Sequence, residues 1–241
     1  MAVQVLQDAL ILYGPVNASG DQNQVKLDQK IDMLESTVFG HTEHRFVPGL
    51  RYLTVDGSGF AQFDDSINPK AIDFQLFSDI GATERAFTVG FDKTDGQVAW
   101  LGKSVSAEYS PELPVADLAK FGFNIKANRF TKGKVVYPLA LRSGAGPGTG
   151  TIYNMGALSA TQKMLIAVHV VTFTGTTLTI NVKSNDTNDT VSPTVRASQA
   201  GIVGTGAFYF EVAGPITDTF WYVDFSFTGT NFTAAVSIGI R

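Results

Sequence analysis

"KFGFNIKANRF", residues 120–130, alternates without a break. Phe121, Phe123, Ile125 and Ala127 fall on one side, and Lys120, Asn124, Lys126 and Asn128 on the other. Successive side chains of a strand point to opposite faces, so a period of two means a strand with one face in a core and one in water. The same period recurs in "TLTINVKS" (177–184), "WYVDFSF" (221–227) and "AAVSIGI" (234–240). These stretches predict a mainly β, antiparallel protein. Turn clusters at 173–177, 184–193, 199–207, 213–219 and 228–232 divide the second half into five or more short strands, the pattern of an Ig-like or jelly-roll-like sandwich.

One segment keeps a different period. In "NPKAIDFQLFSDIG" (68–81), Ile72, Leu76, Phe77 and Ile80 form a stripe at helical spacing. Asn68 suits the cap, Pro69 the first helical position and Gly81 the residue past the end. This predicts one helix packed across a sheet through those four residues. The glycine-rich "RSGAGPGTGTI" (142–152) lacks the spacing of a phosphate loop and precedes no helix, so it reads as a hairpin tip or linker. A boundary near 134 follows, with one domain over 1–134 and a second sandwich over 135–241.

Charge divides in the same place. Residues 1–134 carry 13 Lys/Arg and 17 Asp/Glu, which is the whole net charge of −4, whereas 135–241 carry 5 of each. That balance excludes a basic nucleic-acid-binding face as the organising feature. The absence of cysteine removes disulfides, thiolate nucleophiles and Cys-based zinc sites. The start "MAVQVLQDALILYG" lacks the basic opening of a signal peptide, and the longest apolar run elsewhere, "MLIAVHVV" (164–171), is too short to span a bilayer. A soluble protein made in a cytoplasm, with no membrane insertion, is the expectation.

Chemistry is sparse. "GHTEHRFVPGLRYLTV" (40–55) groups His41, Glu43 and His44, but H-x-E-H is not the H-E-x-x-H of a zinc helix, and Gly40 and Pro48-Gly49 break any helix there. His169 lies in an apolar run and reads as a satisfied core histidine. Asp64 and Asp65 read as solvated charge, and Asp186 and Asp189 as turn formers with calcium ligation as the lesser alternative. With no G-x-S-x-G elbow and no paired carboxylates at a workable spacing, the chain is expected not to be an enzyme and to need no cofactor or metal.

Taken in order, several stretches resemble the major tail (tail tube) protein of long-tailed, siphovirus-like bacteriophages. They are "DMLESTVFG", then "HTEHRFVPGLRYLTVDGSGFAQFD", the helix, "AFTVGFD", and "VAWLGKSVSAEYSPELPVADLAKFGFNIKANR". Residues 135–241 are similar to a β-sandwich often fused to such proteins. The resemblance implies a sandwich or barrel over 1–134 with one packed helix, self-assembly into hexameric rings stacked as a tube, contacts with other tail proteins, and DNA passing through the lumen without specific binding. It implies location in the virion tail after assembly in the host cytoplasm. It also implies that residues 36–49 form an inter-ring loop, with Gly40 and Gly49 giving backbone freedom, Glu43 and Arg45 polar contacts, and Pro48-Gly49 a turn into the lumen sheet. His41 and His44 depart from the pattern. Acidic residues are expected to dominate the lumen. The second domain is expected on the tube exterior, dispensable for assembly, with weak host-surface glycan contact suggested by its Thr and Asn density. The rival readings are a carbohydrate-binding protein, using aromatics such as Tyr209, Phe220 and Tyr222, and a capsid or virion decoration protein.

Overall fold

The alternation of Phe121, Phe123, Ile125 and Ala127 survives in the folded chain, where all four are buried. They belong to a strand far longer than the stretch that announces it. The computed structural model describes residues 9–20, 22–37, 43–60, 72–81, 84–114 and 117–241. In chain order its elements begin with β1 (Leu10–Tyr13), β2 (Val16–Asn17), β3 (Gln22–Glu35), β4 (Phe46–Phe60) and α1 (Ile72–Ser78). Then come β5 (Arg85–Gly90), β6 (Val98–Glu112), β7 (Lys120–Ser143), β8 (Gly146–Thr149) and β9 (Tyr153–Asn154). The last four are β10 (Lys163–Asn185), β11 (Thr194–Ile202), β12 (Gly206–Ala213) and β13 (Phe220–Ile240). Every strand pairing is antiparallel.

In the first half, the order β3–β4–β7–β6–β5–β1–β2 makes a sheet whose inner face holds Leu53, Val55, Phe87, Phe121, Phe123 and Ile125, closed by Ile72 and Leu76 of α1. In the second half, β10 and β13 run side by side from Met164↔Ile240 to Asn185↔Phe220. Register shifts at Thr174/Gly175 and Gly175/Thr177 bend both strands together. A Cβ on Gly175 would lie 2.7 Å from the Thr228 carbonyl oxygen and one on Gly229 2.4 Å from the Gly175 Cα, so only glycines permit the approach. The bend folds each strand back over itself, and Phe227 meets Phe232 edge-on at 4.9 Å. The clusters at 173–177 and 228–232 are therefore corners inside two long strands, not turns between short ones. A pair of strands switching layers at such a corner makes a sandwich core from few elements.

The stretch 142–152 also differs from expectation. β7 pairs with β13 from Lys134↔Ile238 to Ser143↔Asn231, and β8 continues along the same strand from Gly146↔Phe227 to Thr149↔Asp224. The chain keeps its direction across this stretch, so it is an interruption in one line of pairing and not a hairpin. Gly144 and Gly146 adopt φ of 84° and 129° at the interruption, and a Cβ on Gly148 would meet the Phe225 ring at 2.2 Å.

β7 joins the halves without a break. Its start is flanked by β4 and β6, and its end by β13. The two main cores divide along it, with Phe130 in the first and Val136 in the second. Between them, the second half covers the outward face of β1, β5 and β6. Leu10, Leu12 and Ala99 pack with Val135 and Ala235, while Ala86 and Leu101 pack with Leu165 and Ala167.

His169 lies in this seam and is fully buried. Its Nδ1 is 2.8 Å from the Gly14 carbonyl oxygen and its Nε2 3.0 Å from Thr88 Oγ1. A carbonyl only accepts, so these partners assign the proton to Nδ1 and leave Nε2 to accept from the Thr88 hydroxyl. Burial pushes the imidazole pKa down to about 4.

The helix corrects its sequence reading. Among the described residues it spans Ile72–Ser78, ending before Ile80, and Asn68 and Pro69 lie outside the described residues. Gly81 does close it, at φ 65° with its N–H donating to the Ser106 carbonyl at 3.0 Å. Ile72 and Leu76 face the core, but Phe77 is 65% and Ile80 45% exposed. Buried in their place are Gln75 and Asp79. Asp79 receives Arg85 Nε and Nη2 at 2.9 Å each and Gln75 Nε2 at 2.6 Å. This bidentate pair rotates the helix so that its polar side faces β5.

Candidate functional site

β4 pairs with β7 only from Leu53 to Phe60. Before Leu53, its sole neighbour among the described residues is β3, and β3 has no second partner. Residues 30–35 and 44–51 therefore leave the sheet as a two-stranded ribbon, the β3–β4 arm. Pro48 sits in it opposite Met33, where a register shift between Ile31 and Met33 relieves the ladder. A proline is tolerated at such a place because no further strand needs its missing N–H. Pro48-Gly49 is thus strand, not the turn expected. Gly49 admits a tight crossing, since a Cβ there would stand 3.1 Å from the Asp32 carbonyl oxygen.

The arm is apolar in the wrong place for a free monomer. Ile31 (41%), Met33 (55%), Leu34 (60%), Phe46 (54%), Val47 (44%) and Leu50 (81%) are all exposed. The cross-strand pair Leu34–Val47 lies on one face and Met33–Pro48 on the other. A two-stranded ribbon is at best marginal in water without something on its faces. Contiguous exposed apolar surface with unpaired strand edges marks a contact region.

The residues expected in the inter-ring loop distribute around the arm's tip. Gly40 and His41 lie outside the described residues. Glu43 is exposed. His44 Nδ1 stands 2.6 Å from Glu35 Oε1, and this bond is the main influence holding the Glu35 carboxyl below its usual range. Arg45 contributes its backbone, donating to Thr37 Oγ1 at 3.0 Å and accepting from the Ser36 N–H at 2.7 Å. The His44 ring also stacks on Phe46, 6.3 Å between centroids. His44 and Arg45 thus fasten the two strands together near the tip. The six exposed apolar side chains were missed in the sequence. In "IDMLE" the apolar residues occupy both parities, which satisfies neither the strand nor the helix period, and that misfit was the available signal.

Other expected sites resolve into structure. Among the described residues, no group of three or more His, Asp or Glu side chains is placed to hold a metal ion. Asp189 Oδ1 accepts from Asn185 Nδ2 at 2.8 Å and from the Val191 N–H at 2.9 Å, as a turn former does. Tyr222, offered above as a sugar-stacking aromatic, is buried in the second half. The outward face of β3, β4, β7 and β6 sets Lys26, Lys30, Lys120 and Lys126 against Asp28, Asp56, Glu108 and Glu112, while Lys103 and Arg129 on the same face are met by Glu84 and Glu211. It is charge-balanced, so the acidic excess of the first half does not reside there.

A mainly β, antiparallel chain with, among the described residues, one short helix and an unpartnered arm is the class that the fold defines. No family model and no curated protein sequence matches the chain. Among solved structures, it is similar to a chain of the virion of a native gene transfer agent particle, with 14% identity and a TM-score of 0.39 over 52% of this chain and 94% of that one. It is similar to a chain of the tail of an empty gene transfer agent particle with C6 symmetry, with 13% identity and a TM-score of 0.40 over the same shares, 52% and 94%. A third likeness is to the Dit protein (gp 19.1) of SPP1, an adsorption-apparatus hub of phages infecting Gram-positive hosts, with 12% identity and a TM-score of 0.37 over 97% of this chain and 99% of that one.

Proposed function

We propose that the chain is a structural subunit of a bacteriophage tail, assembling with copies of itself into closed, stacked rings through the β3–β4 arm. The carrying observation is the exposure of Ile31, Met33, Leu34, Phe46, Val47 and Leu50 on a ribbon that has no partner within the described chain. The arm lies at one edge of its sheet, so a copy receiving it presents a different surface. Such a heterologous contact closes a ring when its rotation divides the circle. The resemblance of the first half to tail tube proteins supports this reading and favours six copies. The charge-balanced outer sheet face offers DNA no excess of cations, which would otherwise hold its phosphates by counterion release. Of the aromatics that the carbohydrate-binding rival would use, Tyr222 is buried.

Negative-stain microscopy and sedimentation across a concentration series test the proposal. Rings or tubes are expected from the wild-type chain. Leu50→Asp and Val47→Lys are expected to give monomers with unchanged thermal stability. A wild-type chain that stays monomeric at every concentration, or variants that assemble normally, would overturn the role of the arm.

A further inference from the structure

Where the second half meets the outward face of β7, an open cavity of about 360 Å³ is lined by Arg129, Thr161, Lys163, Leu165, Glu211 and Arg241. Its polar centre is the mostly buried Glu211 carboxylate. Lys163 Nζ donates to Oε2 at 2.9 Å, Arg129 Nη1 to Oε1 at 3.3 Å, and the Tyr209 hydroxyl to Oε1 at 3.4 Å. The Lys163 bond is the largest influence keeping Glu211 below the usual carboxylate range.

Two cationic side chains thus hold one carboxylate, and a third, Arg241, lines the same cavity. The side chains of Arg129 and Lys163 remain 54% and 53% exposed. An ammonium has three N–H groups and a guanidinium five, so both retain donors after serving Glu211. The carboxylate also holds the two cations in place before any ligand arrives, which lowers the ordering cost of binding. A ligand with several charged oxygens can take charge-assisted hydrogen bonds from both at once, whereas a halide offers a single centre.

We propose that this cavity is a binding site for a phosphate-class oxyanion, held between Arg129 and Lys163, with Glu211 as the positioning group and Arg241 at the rim. The oxyanion could be a free dianion or the diester of a phosphate polymer, and the same chemistry recognises both.

Isothermal titration of the full chain with inorganic phosphate, against chloride at matched ionic strength, tests the site. One saturable site is expected, with a Kd of roughly a millimolar. Arg129→Gln and Lys163→Gln are each expected to weaken it about tenfold, the worth of one charge-assisted hydrogen bond, while Lys26→Gln, on β3 outside both the arm and the cavity, leaves it unchanged. Should either seam variant lose thermal stability, Arg241→Gln serves instead, with weaker binding expected at an unchanged melting temperature. Dimethyl phosphate, a singly charged diester, separates the sources: weaker binding than phosphate marks the free dianion, and equal binding marks a phosphodiester. Phosphate heats no larger than those of chloride, or binding indifferent to Arg129→Gln, Lys163→Gln and Arg241→Gln, would overturn the proposal.

Discussion

His169 shows how a single side chain couples two halves of a sequence. Its folded pKa of about 4 lies below the ordinary 6.5, so the native chain refuses a proton that the unfolded chain accepts between those values. The stability contributed by the neutral ring is fully present above pH 6.5 and is lost as pH falls toward 4, about 3 kcal/mol in all. Urea unfolding midpoints should drop between pH 7 and pH 5, and His169→Gln, which cannot titrate, should flatten part of that slope. An equal slope in wild type and variant would contradict the assignment. Gly133 makes a second residue-scale case. A Cβ there would come within 1.9 Å of the Ile238 carbonyl oxygen. Gly133→Ala should therefore prise β7 from β13 and cost on the order of 2 kcal/mol, read from denaturant midpoints. The satisfied core histidine was legible from its apolar neighbours. Its partners Gly14 and Thr88 were not, because nothing local in a sequence records a contact made across 155 and 81 residues.

At the scale of elements, period decided what could be read. β7, β10 and β13 announced themselves through alternation, because one face of each is buried against a core. Their lengths were hidden, because the turn-like clusters "FTGTT" and "TGTNF" mark either a turn or a corner, and only the pairing of β10 with β13 distinguishes the two. The helix was legible in kind and in its Gly81 terminus. Its facing was not, since Phe77 and Ile80 fit the apolar stripe while the Asp79–Arg85 pair fixes the rotation. Asp79→Ala should leave Arg85 without its carboxylate and cost about 2 kcal/mol, tempered by the partial exposure of the arginine. Asp79→Ala with Arg85→Met should recover much of that loss in a double-mutant cycle. For the arm, the resemblance implied a loop over 36–49, whereas Phe46 onward is strand and pairs with β3 as a ribbon. The arm's apolar residues Ile31, Met33 and Leu34 fall on both faces of β3, so no single period marks them.

For the whole molecule, the seam matters more than the boundary. The second half had been expected to be dispensable, yet removing residues 135–241 would uncover Leu10, Leu12, Ala86, Ala99 and Leu101 and strip His169 from Gly14 and Thr88. Truncation after Lys134 should therefore yield an aggregating or proteolytically labile fragment. A stable fragment that still forms rings would show that the first half folds without its cover.

The same strand that bridges the halves also sets an order in time. The end of β7 is paired by β13, which begins only at Phe220, so the pairing of Lys134 with Ile238 waits for residues far downstream to be synthesised. Pairings of such separation form late and slowly. A nascent chain would thus hold the end of β7 without its β13 neighbour until Phe220 and the residues after it emerge. Chains stalled before Phe220 should remain open to protease, closing only once β13 emerges. Protection from protease would then report the moment at which β13 joins β7.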